Sequence, residues 1–112
     1  MTWSHEELRR LTASMACRCC GKIEMALTTI RRLKTLEIEI GRTLIVTNGF
    51  RCEKHNAEEG GHPQSRHLDG LAIDVVDPKI PNFYEIAHRY FNGVKHYPEK
   101  RIWHLQVPKP RS

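Results

Sequence analysis

The chain has 112 residues, 39% hydrophobic and 28% charged, and its 18 Lys and Arg against 13 Asp and Glu leave a formal net charge of +5. This length and balance predict a single domain over residues 1–112 with enough apolar material for a core, and they exclude a low-complexity or disordered chain. The opening Met1-Thr2-Trp3-Ser4-His5-Glu6-Glu7 has neither a basic n-region nor an apolar h-region, and no stretch approaches about 18 uninterrupted apolar residues, so no signal peptide and no membrane span are expected.

Ser4 followed by Glu7 is a capping-box pattern, and Leu8, Leu11 and Met15 share a helical face, which predicts a short helix over Ser4 to Ala13. After Gly21 the apolar positions Ile23, Ala26, Leu27, Ile30, Leu33, Leu36 and Ile40 follow the 3.6-residue period, so the main amphipathic helix is expected here, ended by Gly41. Thr43 to Thr47 is β-branched and runs into Asn48-Gly49, which predicts a strand and a turn. From Phe50 to Arg66 polar, glycine and histidine residues with little periodicity predict an irregular functional segment.

Leu71 to Val76 reads as a central strand, apolar on both faces except at Asp74, and Asp77-Pro78 ends it. A third helix is expected from Asn82, with Phe83, Ile86, Ala87 and Tyr90 on one face, stopping near Asn92-Gly93. Two further strands follow, over Gly93 to Tyr97 and Ile102 to Val107, and a Pro108-Lys109-Pro110 tail closes the chain. Helices first, then strands with a helix between them, predict an α+β layer in which one side of a sheet carries most of the cover.

The net charge would suit an anionic partner, nucleic acid or an acidic cell-wall polymer, but the basic residues are scattered. The tightest cluster, Arg31-Arg32-Lys34, reads as a solvated helix face. Cys17, Cys19, Cys20 and the distant Cys52 form no regular disulfide framework, so a disulfide to Cys52, a second structural metal and plain packed thiols all stay open.

An ionisable group on a buried strand costs several kcal/mol unless paired, so Asp74 needs a partner. His67 lies seven residues upstream, where a loop can fold its imidazole toward the carboxylate. Strand alternation puts Ile102, His104 and Gln106 on one face of the last strand, so His104 can also face inward. Two imidazoles and one carboxylate leave a fourth zinc position free for water, the catalytic pattern. On spacing alone, a buried Asp paired with an arginine, beside two ordinary polar histidines, is equally open.

Ser65-Arg66-His67-Leu68-Asp69-Gly70-Leu71-Ala72-Ile73-Asp74 resembles the S-x-H-x-x-G-x-A-x-D motif of the zinc D-Ala-D-Ala carboxypeptidase family, within the hedgehog/D-Ala-D-Ala-peptidase superfamily. The likeness continues upstream through Asn48-Gly49-Phe50-Arg51-Cys52-Glu53-Lys54-His55-Asn56 and Gly60-Gly61. Downstream, Gly93-Val94-Lys95-His96-Tyr97-Pro98 with Ile102-Trp103-His104-Leu105 is similar to the family's last strand pair. Even the cysteine cluster resembles phage and prophage members, and the resemblance spans Leu11 to Val107.

The resemblance implies a hedgehog/DD-peptidase-like α+β fold, a small antiparallel sheet packed against helices, with zinc held by His67, Asp74 and His104 and substrate bound by Arg51. A guanidinium suits that role, because stem peptides of peptidoglycan carry a carboxylate near the scissile amide. The implied activity is amide hydrolysis by a metallopeptidase, a D-Ala-D-Ala carboxypeptidase or an L-Ala-D-Glu-type endopeptidase of the endolysin kind. The general base departs from the family pattern: Arg101 stands three residues before His104 and Gln106 two after it, where relatives carry acidic groups. Glu99 and His96 are the remaining candidates for the base, with His96 also placed to donate to the oxyanion, and a base that is neither of them stays open. The expected partner is a peptidoglycan stem peptide, with no nucleic acid, no membrane insertion and a monomeric chain; the protein would be made in the cytoplasm and reach the cell wall by a separate export or lysis route. A degenerate domain that keeps zinc but only binds the wall is the first rival. A His-Asn-His-type nuclease, suggested by His55-Asn56 and the charge, is the second, and it leaves the Ser65 to Asp74 pattern unexplained.

Overall fold

Residues 15–17, 19–21, 25–62 and 65–108 are described by the computed structural model. The helix expected over Ser4 to Ala13, and the early part of the main helix at Lys22 and Ile23, lie outside the described residues. Helix α1 runs over Leu27–Ile40 and buries Leu33 and Leu36 on one face while Arg31 stays exposed. Gly41 ends it in the left-handed region at φ 74, a backbone geometry glycine adopts without a Cβ clash, and its N–H donates to the Glu37 carbonyl. Buried Glu37 is satisfied as well, since its carboxylate accepts from the Leu44 N–H at 2.7 Å.

The strands are β1 (Val46–Asn48), β2 (Ala72–Val76), β3 (Gly93–Tyr97) and β4 (Ile102–Gln106), hydrogen-bonded as an antiparallel sheet in the order β1-β2-β4-β3. β2 is therefore interior, as its nearly all-apolar sequence predicts. Between β1 and β2 lie a six-residue helix α2 (Glu53–Glu58) and a 3₁₀ turn (Arg66–Asp69). Between β2 and β3 lies α3 (Phe83–Ala87), and a second 3₁₀ turn (Pro98–Lys100) joins β3 to β4.

Alternation sorts the two faces of the sheet. Ile73 and Val75 of β2 and Trp103 and Leu105 of β4 enter one core with Leu33 and Leu36 of α1, Phe83 and Ala87 of α3, and Phe91. Asp74, Ile102, His104 and Gln106 project from the other face. The result is a small α+β architecture whose apolar side carries α1 and α3 and whose polar side carries the chemistry. Among the described residues no helix is long and apolar enough to cross a membrane.

Candidate functional site

The first side chain of the site is set by its own local sequence. Ser65 caps the 3₁₀ turn by accepting from the His67 N–H at 3.2 Å, and Gly70 closes it in the left-handed region at φ 68. That tight turn drives His67 inward until only 1% of it is exposed. Its Nδ1 lies 2.7 Å from the Gly49 carbonyl oxygen. A carbonyl only accepts, so Nδ1 carries a proton and Nε2 is the ring nitrogen left to ligate a metal. Nε2 is buried, makes no hydrogen bond, and sits 3.4 Å from Asp74 Oδ1.

Asp74 and His104 are register partners across β2 and β4, so their side chains leave the same face together. His104 Nδ1 is 2.9 Å from Asp74 Oδ1, and its Nε2 is 2.9 Å from the Gln106 amide oxygen. A carboxylate oxygen only accepts, so without a metal the Nδ1–H of His104 donates to Asp74 Oδ1, and a metal ion bound there would take the place of that proton. Asn48 takes the other oxygen, its Nδ2 donating to Asp74 Oδ2 at 3.3 Å. Burial alone would raise the Asp74 carboxyl, but the His104 hydrogen bond and the positive charge that His104 and His67 carry when protonated outweigh it and hold the group well below the usual carboxylate range.

Two imidazole nitrogens and a carboxylate oxygen converging on one point need a proton or a metal cation between them. Four-coordinate zinc with bonds of about 2.0–2.1 Å to nitrogen and oxygen spaces its ligand atoms about 3.4 Å apart, which is the separation found for His67 Nε2 and Asp74 Oδ1. The tie on the far nitrogen of each ring is the outer support that metal-binding histidines need. His67, Asp74 and His104 could thus hold a metal ion, with one position open.

The trio lies in a cleft of about 580 Å³. Arg51 and Arg66 line it, and the Nε atom of each is buried without a hydrogen-bond partner. The Arg51 N–H donates to the His67 carbonyl at 3.1 Å, which places this arginine next to the turn that presents the histidine. Two guanidinium groups lining one cleft are suited to an anionic ligand.

A family model described as peptidase M15 matches residues 3–105, a span that takes in Arg51 and the whole trio. The chain belongs to the peptidase M15 family. M15 peptidases depend on zinc, so this is a metallopeptidase in which His67, Asp74 and His104 form a possible zinc site. No curated protein matches the chain.

Both groups expected to handle protons in this M15 peptidase lie away from the cleft. His96 pairs in register with Trp103, so it leaves the core side of the sheet, stacked on that indole at 4.1 Å with Nε2 at 3.3 Å from Asp77 Oδ2. Glu99 is exposed in the second 3₁₀ turn and does not line the cleft, although its neighbours Tyr97 and Lys100 do. Arg101, three residues before His104, is exposed at the turn into β4 with φ 57. Sequence reasoning also overlooked three supports: the Gly49 carbonyl, Asn48 and Gln106. Only Gln106 left a signal, its place on the His104 face. Glu59, just after α2, lines the cleft, as does His62, whereas His55 is buried within α2 and His88 is exposed after α3.

Proposed function

We propose that the protein hydrolyses an amide bond in peptidoglycan stem peptides, as a D-Ala-D-Ala carboxypeptidase or an L-Ala-D-Glu-type endopeptidase, with His67, Asp74 and His104 as its zinc ligands. The observation that carries this reading is the buried Nε2 of His67, 3.4 Å from Asp74 Oδ1 with no hydrogen-bond partner. A bound zinc ion supplies Lewis acidity toward the scissile carbonyl and the attacking water. Gly49 and Gln106 keep the two imidazoles in the tautomers that leave lone pairs for the metal. Arg51, with Arg66 beside it, pairs with the substrate carboxylate and so sets which amide reaches the metal. Glu59 is the acidic group, besides Asp74, among the residues lining the cleft; it takes the water proton and returns it to the leaving amine.

The fold suits the hedgehog/DD-peptidase arrangement, and the site of action is the cell wall, reached by separate export or lysis. Incubating zinc-loaded protein with purified peptidoglycan and defined stem peptides, with and without chelator, tests the activity. Release of D-Ala, or of a fragment cut after L-Ala, that stops with chelator is the expected result. Intact substrate in the presence of bound zinc would favour a second reading, a domain that binds the wall without cutting it. Arg101 in place of the usual acid, and Glu99 outside the cleft, are the observations on that side.

A further inference from the structure

Among the described residues a second set of metal-binding side chains converges outside the cleft. The ligand atoms of Cys17, Cys20 and Cys52 all lie within 4.8 Å of one another, and none of the four cysteines is in a disulfide. Cys17 Sγ and Cys52 Sγ are 3.6 Å apart. A tetrahedral zinc ion with Zn–S bonds of about 2.3 Å spaces its sulfurs about 3.8 Å apart, whereas a disulfide needs about 2.05 Å.

Cys17 and Cys20 stand in C-x-x-C spacing, in a turn closed by the Gly21 N–H donating to the Cys17 carbonyl at 2.8 Å, with Gly21 at φ 74. This turn brings two thiols to one side of the chain, and Cys52 meets them from 35 residues away. Backbone N–H groups already point at the sulfurs: Cys52 N–H donates to Cys17 Sγ at 3.5 Å and His55 N–H to Cys52 Sγ at 3.4 Å. Donors aimed at sulfur favour the thiolate form that a metal requires.

We propose that Cys17, Cys20 and Cys52 bind a second zinc ion, structural in role, whose shell is completed by Cys19 or a water molecule. Its consequence follows from what these cysteines adjoin. The Phe50 N–H donates to the Met15 carbonyl at 2.9 Å, and a Cβ on Gly49 would lie 2.6 Å from Met15 Cα, so residues 15–17 and 49–52 are pressed together. The second of these segments supplies the Gly49 carbonyl that orients His67 and carries Arg51 into the cleft. An ion joining the two braces the site without touching the reaction, as structural zinc does in small domains.

The test uses the full chain, expressed with cobalt in place of zinc and kept under reducing conditions. Two equivalents of cobalt are expected, with intense sulfur-to-cobalt charge-transfer absorption in the near ultraviolet. In Asp74→Ala the equivalents fall to about one while the charge-transfer band persists; in Cys52→Ser the band collapses. A wild-type spectrum without that band overturns the proposal whether or not Cys52→Ser folds. So does a Cys17–Cys52 disulfide found by mass spectrometry in protein purified without reductant. None of these readings depends on peptidase activity, so failure of the second zinc site and failure of the proposed function are separately visible.

Discussion

His104 owes its orientation to Gln106, two positions along on the same face of β4, and to Asp74 across the ladder. Replacing Gln106 with Leu removes the acceptor for Nε2–H and is predicted to weaken zinc binding by about 10- to 100-fold, measured by chelator competition. Gln106→Glu keeps an acceptor and should hold the wild-type affinity; equal loss in both variants would mean the residue acts through packing. For the proton transfer, Glu59→Gln is predicted to lower turnover by about 10²-fold with zinc retained. An unchanged rate would remove Glu59 from the reaction. The trio itself was legible in the sequence because a lone carboxylate on an apolar strand demands a partner and two histidines lie within reach. The position of His96 was not, because which side it faces depends on strand register. Pairing of Tyr97 with Ile102 sets His96 opposite Trp103 and away from His104.

At the scale of elements, Asp77 ties the end of β2 to the β3–β4 pair. Its Oδ1 accepts from the Lys79 N–H at 2.9 Å and from Trp103 Nε1–H at 3.1 Å, and its Oδ2 faces His96. Burial pushes the carboxyl up, but the Lys79 and Trp103 donors and the His96 charge outweigh it and hold it below its ordinary value. A depressed carboxyl contributes stability that is fully present above the unfolded pKa and lost as pH falls through the folded one. The stability gap between wild type and Asp77→Asn, measured by denaturant unfolding, should therefore be full near pH 5 and shrink toward about pH 3. A gap that does not change with pH would contradict this assignment. Strand β3 matches the sequence expectation residue for residue and β4 stops one residue short of it. Helix α2 was hidden within the segment read as irregular, because six residues carry little periodicity and its cap is a thiol, Cys52 Sγ accepting from the His55 N–H. Helix α3 ends at Ala87, earlier than the apolar pattern implied, since the Arg89 and Tyr90 N–H groups donate to carbonyls three residues back in tighter turns. Pairing of β1 with β2 shifts register between Val46 and Asn48, which explains a strand shorter and later than the β-branched run suggests.

For the molecule as a whole, sheet order carries the function. Placing β4 beside β2 sets Asp74 against His104, while the long connection through α2 returns His67 and Arg51 to the same face. The α+β class and the interior position of β2 could be read from apolar patterning. The order of the remaining strands could not, because a hydrophobic period fixes the face a residue takes and leaves its neighbour open. The three candidate ligands come from separate elements, so metal binding there would be linked to folding. Zinc at a hundred times its dissociation constant adds about 2.7 kcal/mol, so a chelator should lower the melting temperature by several degrees. In Asp74→Ala the part of that shift due to the cleft should vanish; an equal shift in both proteins would place the stabilising ion elsewhere.

The most direct test of the central claim is anomalous diffraction at the zinc edge from crystals of the zinc-loaded protein. A peak bounded by His67 Nε2, Asp74 Oδ1 and His104 Nδ1 is the predicted result. Zinc found only away from these three side chains would contradict the account.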